Sequence, residues 1–349
     1  MNTKITTRAA VLLETGKPLE LIELSLPKLK PGQVLVKMAY AGVCHSQLHE
    51  VRGGRGPDHY LPHTLGHEGA GTVLEVSDGV TKVKSGDNVV LTWIKGDGLD
   101  VPGTTYESDI GTVNSGAIST FMDVTVTCEN RVVSLNDDMP IREAALLGCA
   151  VPTGAGIIMN TVDVKPGSSV AIFGVGGIGL SALLAAVMQK ANPVIAIDIV
   201  PEKLEEAKKL GATHTINAEK EDVVSRVLEI TNGIGVNTSV EAAGRPETME
   251  NAFQSIAYNG GICVLAGNVR FGEKIQLDPF DLIKGRKIIG TWGGETRPDH
   301  DLPNYADMFL TNKLPFGKLV SHEWPLEEIN VAFDQLEAGR VSRALINFK

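Results

Sequence analysis

Residues 169–179 read SVAIFGVGGIG. The run SVAIFGV is short, apolar and closed by glycine, as expected of a buried strand. Gly174, Gly176 and Gly179 fit the spacing G-x-G-x-x-G, and Gly177 and Ile178 complete the turn. The Ala- and Leu-rich stretch that follows, to Ala191, predicts a helix. Glycine-rich turns are common, but one set between a strand and a helix has a specific use. It lets the backbone approach a pyrophosphate, and the helix start supplies amide donors and a positive dipole end. Asp198 lies 19 residues past Gly179, at the end of the next apolar run, PVIAIDI. A carboxylate there accepts from ribose hydroxyls and repels a 2′-phosphate, which favours NAD over NADP. The other reading of these residues is a structural turn and a solvated aspartate.

The same rhythm continues downstream. PEKLEEAKKLGA (201–212) has proline at its start and glycine near its end, the usual asymmetry of a helix. TNGIGVNTSVEAAG (231–244) and YNGGICVLAG (258–267) read as further strands. Strands alternating with helices predict a Rossmann-like, doubly wound parallel sheet over residues 151–290. The first 150 residues differ. VLLETG, LELIELSLP, QVLVKMAYAGV and GAGTVLEVSDGVTKVKSGDNVVLTW are short apolar runs separated by turn residues, which predict a compact β-rich barrel or sandwich. Ile94–Gly116 is rich in Gly, Asp, Ser and Thr and reads as a surface loop. Residues 291–349 return to mixed structure and end in the strand-like ALINF. The expected fold is therefore α/β, with the parallel-sheet domain inserted between two parts of a β-rich domain.

Composition narrows the function. The 349 residues carry a net charge of −10, which argues against non-specific nucleic-acid binding, since that usually needs a basic face. No apolar run reaches membrane-spanning length, and the start lacks a signal-peptide core. Four cysteines, at 44, 128, 149 and 263, form no CxxC pair, as expected of a cytoplasmic protein with reduced thiols. Cys128 and Cys263 lie in strand-like runs and read as inert core thiols. The expected partner is a small molecule.

Cys44, His67 with Glu68, and Cys149 form a second constellation. Thiolate and imidazole are normal zinc ligands, and three protein ligands with one open position make a catalytic site. Taken alone, these residues also fit two small buried hydrophobes and a structural histidine.

At this point the chain resembles the zinc-dependent medium-chain alcohol dehydrogenases, with their GroES-like catalytic domain and Rossmann domain. The motifs are GVCHSQLHEV (42–51), GHEGAGTVLEV (66–76), GCAVPTGAG (148–156) and GVGGIG with its downstream Asp198. The resemblance implies that Cys44, His67 and Cys149 hold one catalytic zinc and that Glu68 approaches it during ligand exchange. It implies a proton relay from Ser46 to His49. His45 and Arg343 match positions near the cofactor pyrophosphate, Lys203 one near the adenosine ribose, and Thr153 one beside the nicotinamide. The expected activity is hydride transfer between an alcohol, polyol or cyclitol and NAD, in a homodimer or homotetramer.

Two departures stand out. Many family members carry a structural zinc in a lobe with four cysteines, yet Leu91–Gly116 holds no cysteine, so no structural zinc is expected. Gln47 replaces the aspartate that supports the zinc-binding histidine in many relatives. Arg52 and Arg55, between Cys44 and His67, are either exposed loop cations or contacts for an anionic substrate. The competing functions are a zinc-free quinone or enone reductase using NAD(P)H, and a non-catalytic nucleotide-binding protein.

Overall fold

A computed structural model describes residues 5–348. The chain folds as two compact units. One comprises the residues up to Cys149, Arg297–Asn312 and those from Val320 onward; the other is Ala150–Thr296 with Lys313–Leu319.

The first unit is built on two sheets. The strands Thr6–Leu12, Glu20–Ser25, Thr105–Ser108, Gly111–Asn114 and His63–Thr64 close a small barrel. The second sheet centres on the long strand Gln33–Val43, which pairs with Glu68–Val76, Val124–Cys128 and the C-terminal Ala344–Asn347. Alternating apolar residues of these strands pack under the helix Ile329–Glu337, where Phe121 meets Phe333 edge to face at 5.9 Å.

One expectation is corrected here. Ile94–Gly116 is not all loop: Thr105–Ser108 and Gly111–Asn114 form an antiparallel hairpin inside it. Tyr106 and Val113 point inward and are fully buried, while their neighbours face solvent. Two inward side chains among polar residues are too weak a period-2 signal to stand out in the sequence.

The second unit holds six parallel strands. Their spatial order is His214–Asn217, Val194–Asp198, Val170–Phe173, Thr238–Glu241, Ile262–Leu265 and Lys287–Gly290. In chain order this is 3-2-1-4-5-6, the doubly wound dinucleotide-binding arrangement. Val170–Phe173 is buried at every position, as a central parallel strand requires. Lys287–Gly290 ends the sheet and is largely exposed. The segment Lys313–Leu319 belongs to this unit, and its last turn, Phe316–Leu319, packs on the helix Gly177–Met188. Among the described residues no single helix is long and apolar enough to cross a membrane.

Candidate active site

Three segments of the first unit deliver the donor side chains. Val43 ends its strand opposite Ala344, and Cys44 follows as the N-cap of the helix His45–Val51. Gly66 sits at φ 102°, and a Cβ there would lie 2.3 Å from Thr120 Oγ1. Glycine alone therefore lets the chain present His67 from this direction. Cys149 follows the turn Ala145–Gly148. Thr92 Oγ1 donates to the Gly148 carbonyl at 2.8 Å, and Thr92 pairs with Glu68 across the sheet. Donor atoms of Cys44, His67, Glu68 and Cys149 all come within 4.8 Å of one another.

The electrostatics of this cluster suit a cation. A hydrogen bond with Cys149 holds the Cys44 thiol well below its ordinary range, against the effect of burial, and His67 and Arg343 add to it. The same hydrogen bond, with burial, holds Cys149 well above its range, so the two sulfurs share a proton. Burial works against a charge on His67, but its contacts with Cys44 and Glu68 prevail and raise its pKa. Burial also raises Glu68, and Arg343 only partly offsets this. Two sulfurs, an imidazole and a carboxylate, one sulfur already favouring thiolate, are the donor chemistry of zinc.

The helix His45–Val51 places the remaining candidates. Ser46 Oγ donates to Cys44 Sγ at 3.4 Å, so the hydroxyl lies beside a sulfur of the donor cluster. His49 sits one turn further on and is half-buried; His45 is exposed. Gln47 is buried, and its Oε1 accepts from the Cys44 amide at 3.2 Å. It therefore caps its own helix, and its Nε2 has no partner. Arg343 is buried, pairs with Glu68, and donates from Nη1 to the Val43 carbonyl at 3.3 Å. Both loop arginines are engaged by acids: Arg52 with Asp334 and Glu337, Arg55 with Glu50. That arrangement favours the structural reading of the two over contact with an anionic substrate.

The glycine turn lies in the second unit. A Cβ on Gly179 would fall 1.9 Å from the Gly174 carbonyl, so glycine is needed for the turn to close. Gly176 caps the helix that runs from Gly177 through Ile178 and Gly179, and the space over Gly176 is open. Asp198 braces this loop: Oδ2 accepts from the Val175 amide at 2.9 Å and Oδ1 from the Val200 amide at 3.0 Å. Lys203 lies in the first turn of the helix Pro201–Lys209 and is half-buried. Thr153 is buried in the helix Ala150–Gly156, and its Oγ1 has no partner. An open glycine cradle and an unsatisfied buried hydroxyl fit a bound nucleotide.

Residues 177–311 match the family described as zinc-binding dehydrogenase, and 30–137 the alcohol dehydrogenase GroES-like domain. The S-(hydroxymethyl)glutathione dehydrogenase of Synechocystis sp. is 35% identical, over 98% of this chain and 100% of that protein. The chain belongs to the zinc-dependent medium-chain alcohol dehydrogenases. The dehydrogenase is also similar to the benzyl alcohol dehydrogenase of Acinetobacter calcoaceticus, with a TM-score of 0.90 and 32% identity over 99% and 100% of the two chains. An alcohol dehydrogenase zinc-binding domain protein from Burkholderia ambifaria gives 0.91 and 30% over the same shares. It is thus an oxidoreductase that interconverts alcohols and carbonyl compounds, in a family that uses zinc and a nicotinamide cofactor.

Sequence reasoning missed Glu129. Its Oε1 accepts from the Thr81 and Lys82 amides at 2.6 and 2.9 Å, and its Oε2 from Leu99 at 2.8 Å. One buried carboxylate thus ties the turn before the cysteine-free segment to a residue within it. A glutamate directly after a strand carries no motif that would announce this.

Proposed function

We propose that the dehydrogenase oxidises an alcohol or polyol with NAD, using one catalytic zinc held by Cys44, His67 and Cys149, with Glu68 close to it. The observation that carries this reading is the four-residue donor cluster with Ser46 against one of its sulfurs. When bound, zinc supplies Lewis acidity and the nicotinamide accepts hydride. The protein's own residues move the proton. Ser46 Oγ takes it from the substrate hydroxyl, and His49, on the same helix face one turn away, delivers it to solvent. Glu68, buried against Arg343, is the carboxylate available for ligand exchange.

On the nucleotide side, the Gly174–Gly179 turn and the start of its helix receive the pyrophosphate. His45 and Arg343 supply positive charge, and Lys203 and Thr153 contact the ribose and the nicotinamide. Asp198 at the end of its strand is the support for NAD over NADP. Thiols without disulfides support a cytoplasmic site. The exposed edge strand Lys287–Gly290, flanked by exposed Ile283 and Trp292, supports a homodimer or larger symmetric assembly through this unit.

The test is Ser46→Ala in zinc-loaded enzyme, assayed with a panel of alcohols and both nucleotides. Loss of the relay lowers kcat by about 10²–10⁴-fold with metal content unchanged. Undiminished turnover would overturn the relay, and tighter binding of NADP than of NAD would overturn the role of Asp198.

A further inference from the structure

A second group of donor atoms lies in the first unit, outside the site above. Glu50, Asp58 and His63 each offer one donor atom, and the three come within 4.8 Å of one another. His63 is buried, with 8% of its side chain exposed; Asp58 is at 12% and Glu50 at 26%. Each is fixed on one side and open on the other. His63 Nδ1 is 3.0 Å from the Thr64 carbonyl, which can only accept, so Nδ1 carries a hydrogen. Asp58 Oδ1 accepts from the Tyr60 amide at 2.9 Å, leaving Oδ2 directed at His63. Glu50 Oε2 faces Arg55 at 3.4 Å, leaving Oε1 towards His63 at 3.9 Å.

The consequence is electrostatic. With Nδ1 carrying hydrogen, a neutral His63 presents a lone pair at Nε2. Asp58 Oδ2, also an acceptor, lies 2.8 Å from it. Two acceptors at that distance repel unless a positive charge sits between them. Arg55 Nη1 lies 3.4 Å from Glu50 Oε2. The charge between His63 and Asp58 is therefore a proton or a metal ion.

We propose that Glu50, Asp58 and His63 form a second divalent-cation site, selective for zinc-like transition metals, that is separate from the Cys44–His67–Cys149 centre. One imidazole nitrogen and two carboxylate oxygens are a zinc-type ligand set with room for water. The histidine already has the backbone carbonyl partner that orients metal-binding imidazoles. Ligand bonds of about 2.0–2.1 Å place neighbouring donors roughly 3.3 Å apart, so the 2.8 Å pair opens by about half an ångström. On binding, the metal displaces the Nε2 proton to solvent. The bond to Glu50 ties the helix of Ser46 and His49 to the strand His63–Thr64, which leads into His67. The role is structural, in a chain without the cysteine lobe.

The test titrates chelator-stripped protein with Co²⁺, following metal content and the thiolate-to-cobalt absorption band. Wild type takes up about two ions per chain, only one of which adds to the thiolate band. His63→Gln takes up about one and keeps the full band, and Glu50→Gln, at a half-buried position, weakens the second ion at least tenfold. Glu50→Gln carries the test if His63→Gln fails to fold. Uptake of a single ion by wild type, or a second ion that persists at equal affinity in both variants, overturns this site. Loss of the thiolate band in wild type would instead count against the catalytic centre.

Discussion

Arg343 and Glu68 face each other in a space closed to solvent, with side chains 5% and 0% exposed. Gly42 makes the room: a Cβ there would fall 2.5 Å from Glu68 Cδ and 2.7 Å from Arg343 Nη2. A residue expected to meet the cofactor is thus also the counter-ion of a residue expected beside the metal. Removing one partner strands a buried charge, which typically costs about 3–5 kcal/mol. Arg343→Met is expected to destabilise by that order, and the double variant with Glu68→Gln to recover much of it. Denaturant unfolding of the two single variants and the double decides it; additive losses would show that the pair is not coupled.

The turn glycines are expected to separate stability from binding. Gly176 has φ −82° and open space above it, so Gly176→Ala fits the folded backbone. Its Tm should move by less than about 2 °C, while NAD binding weakens at least tenfold, or about 1.4 kcal/mol. Gly179→Ala meets the Gly174 carbonyl and should lose about 1–3 kcal/mol of stability as well. Calorimetric scans with and without NAD read both effects. Unweakened NAD binding by Gly176→Ala would remove the pyrophosphate from this turn.

Glu129 is expected to make the segment around Leu99 acid-sensitive. Partial burial alone would raise its pKa, but amides of Thr81, Leu99 and Lys82 hold it below the usual carboxylate range. A carboxyl depressed in the folded state contributes stability above its unfolded pKa and loses it as pH falls through the folded one. Wild type should therefore lose an increment of stability below about pH 4.5. Glu129→Gln should lack that increment at neutral pH, at a cost of about 1.5–3 kcal/mol, and should admit protease near Leu99. An equal acid limb in wild type and variant would refute it.

Tyr106 sets an alkaline limit. Burial pushes its hydroxyl up to about 12. A group whose folded pKa is raised gives stability that is complete below its unfolded pKa, near 10, and is lost as pH rises towards 12. That loss is on the order of 2–3 kcal/mol. Tyr106→Phe should be weaker at pH 8, because the Val126 amide loses its acceptor. Between pH 10 and 12 its stability should fall less steeply than that of wild type. Parallel slopes would exclude Tyr106 as the cause.

What the sequence alone determined is local. The Gly174–Gly179 spacing, its flanking strand and helix and Asp198 are read within a short window, because strand, turn and helix propensities act between near neighbours. The soft and borderline donor chemistry of Cys44, His67 and Cys149 is likewise a property of side chains. Tertiary structure decided the meetings. Sheet pairing of Val43 with Ala344, and of Glu68 with Thr92, carries distant segments into one donor cluster. The hairpin of Tyr106 and Val113, the grip of Glu129 on two loops, and the carboxylates facing His63 arise in the same way. Such contacts link residues far apart in the chain or depend on which face a side chain takes. No propensity encodes that until the core has formed around them.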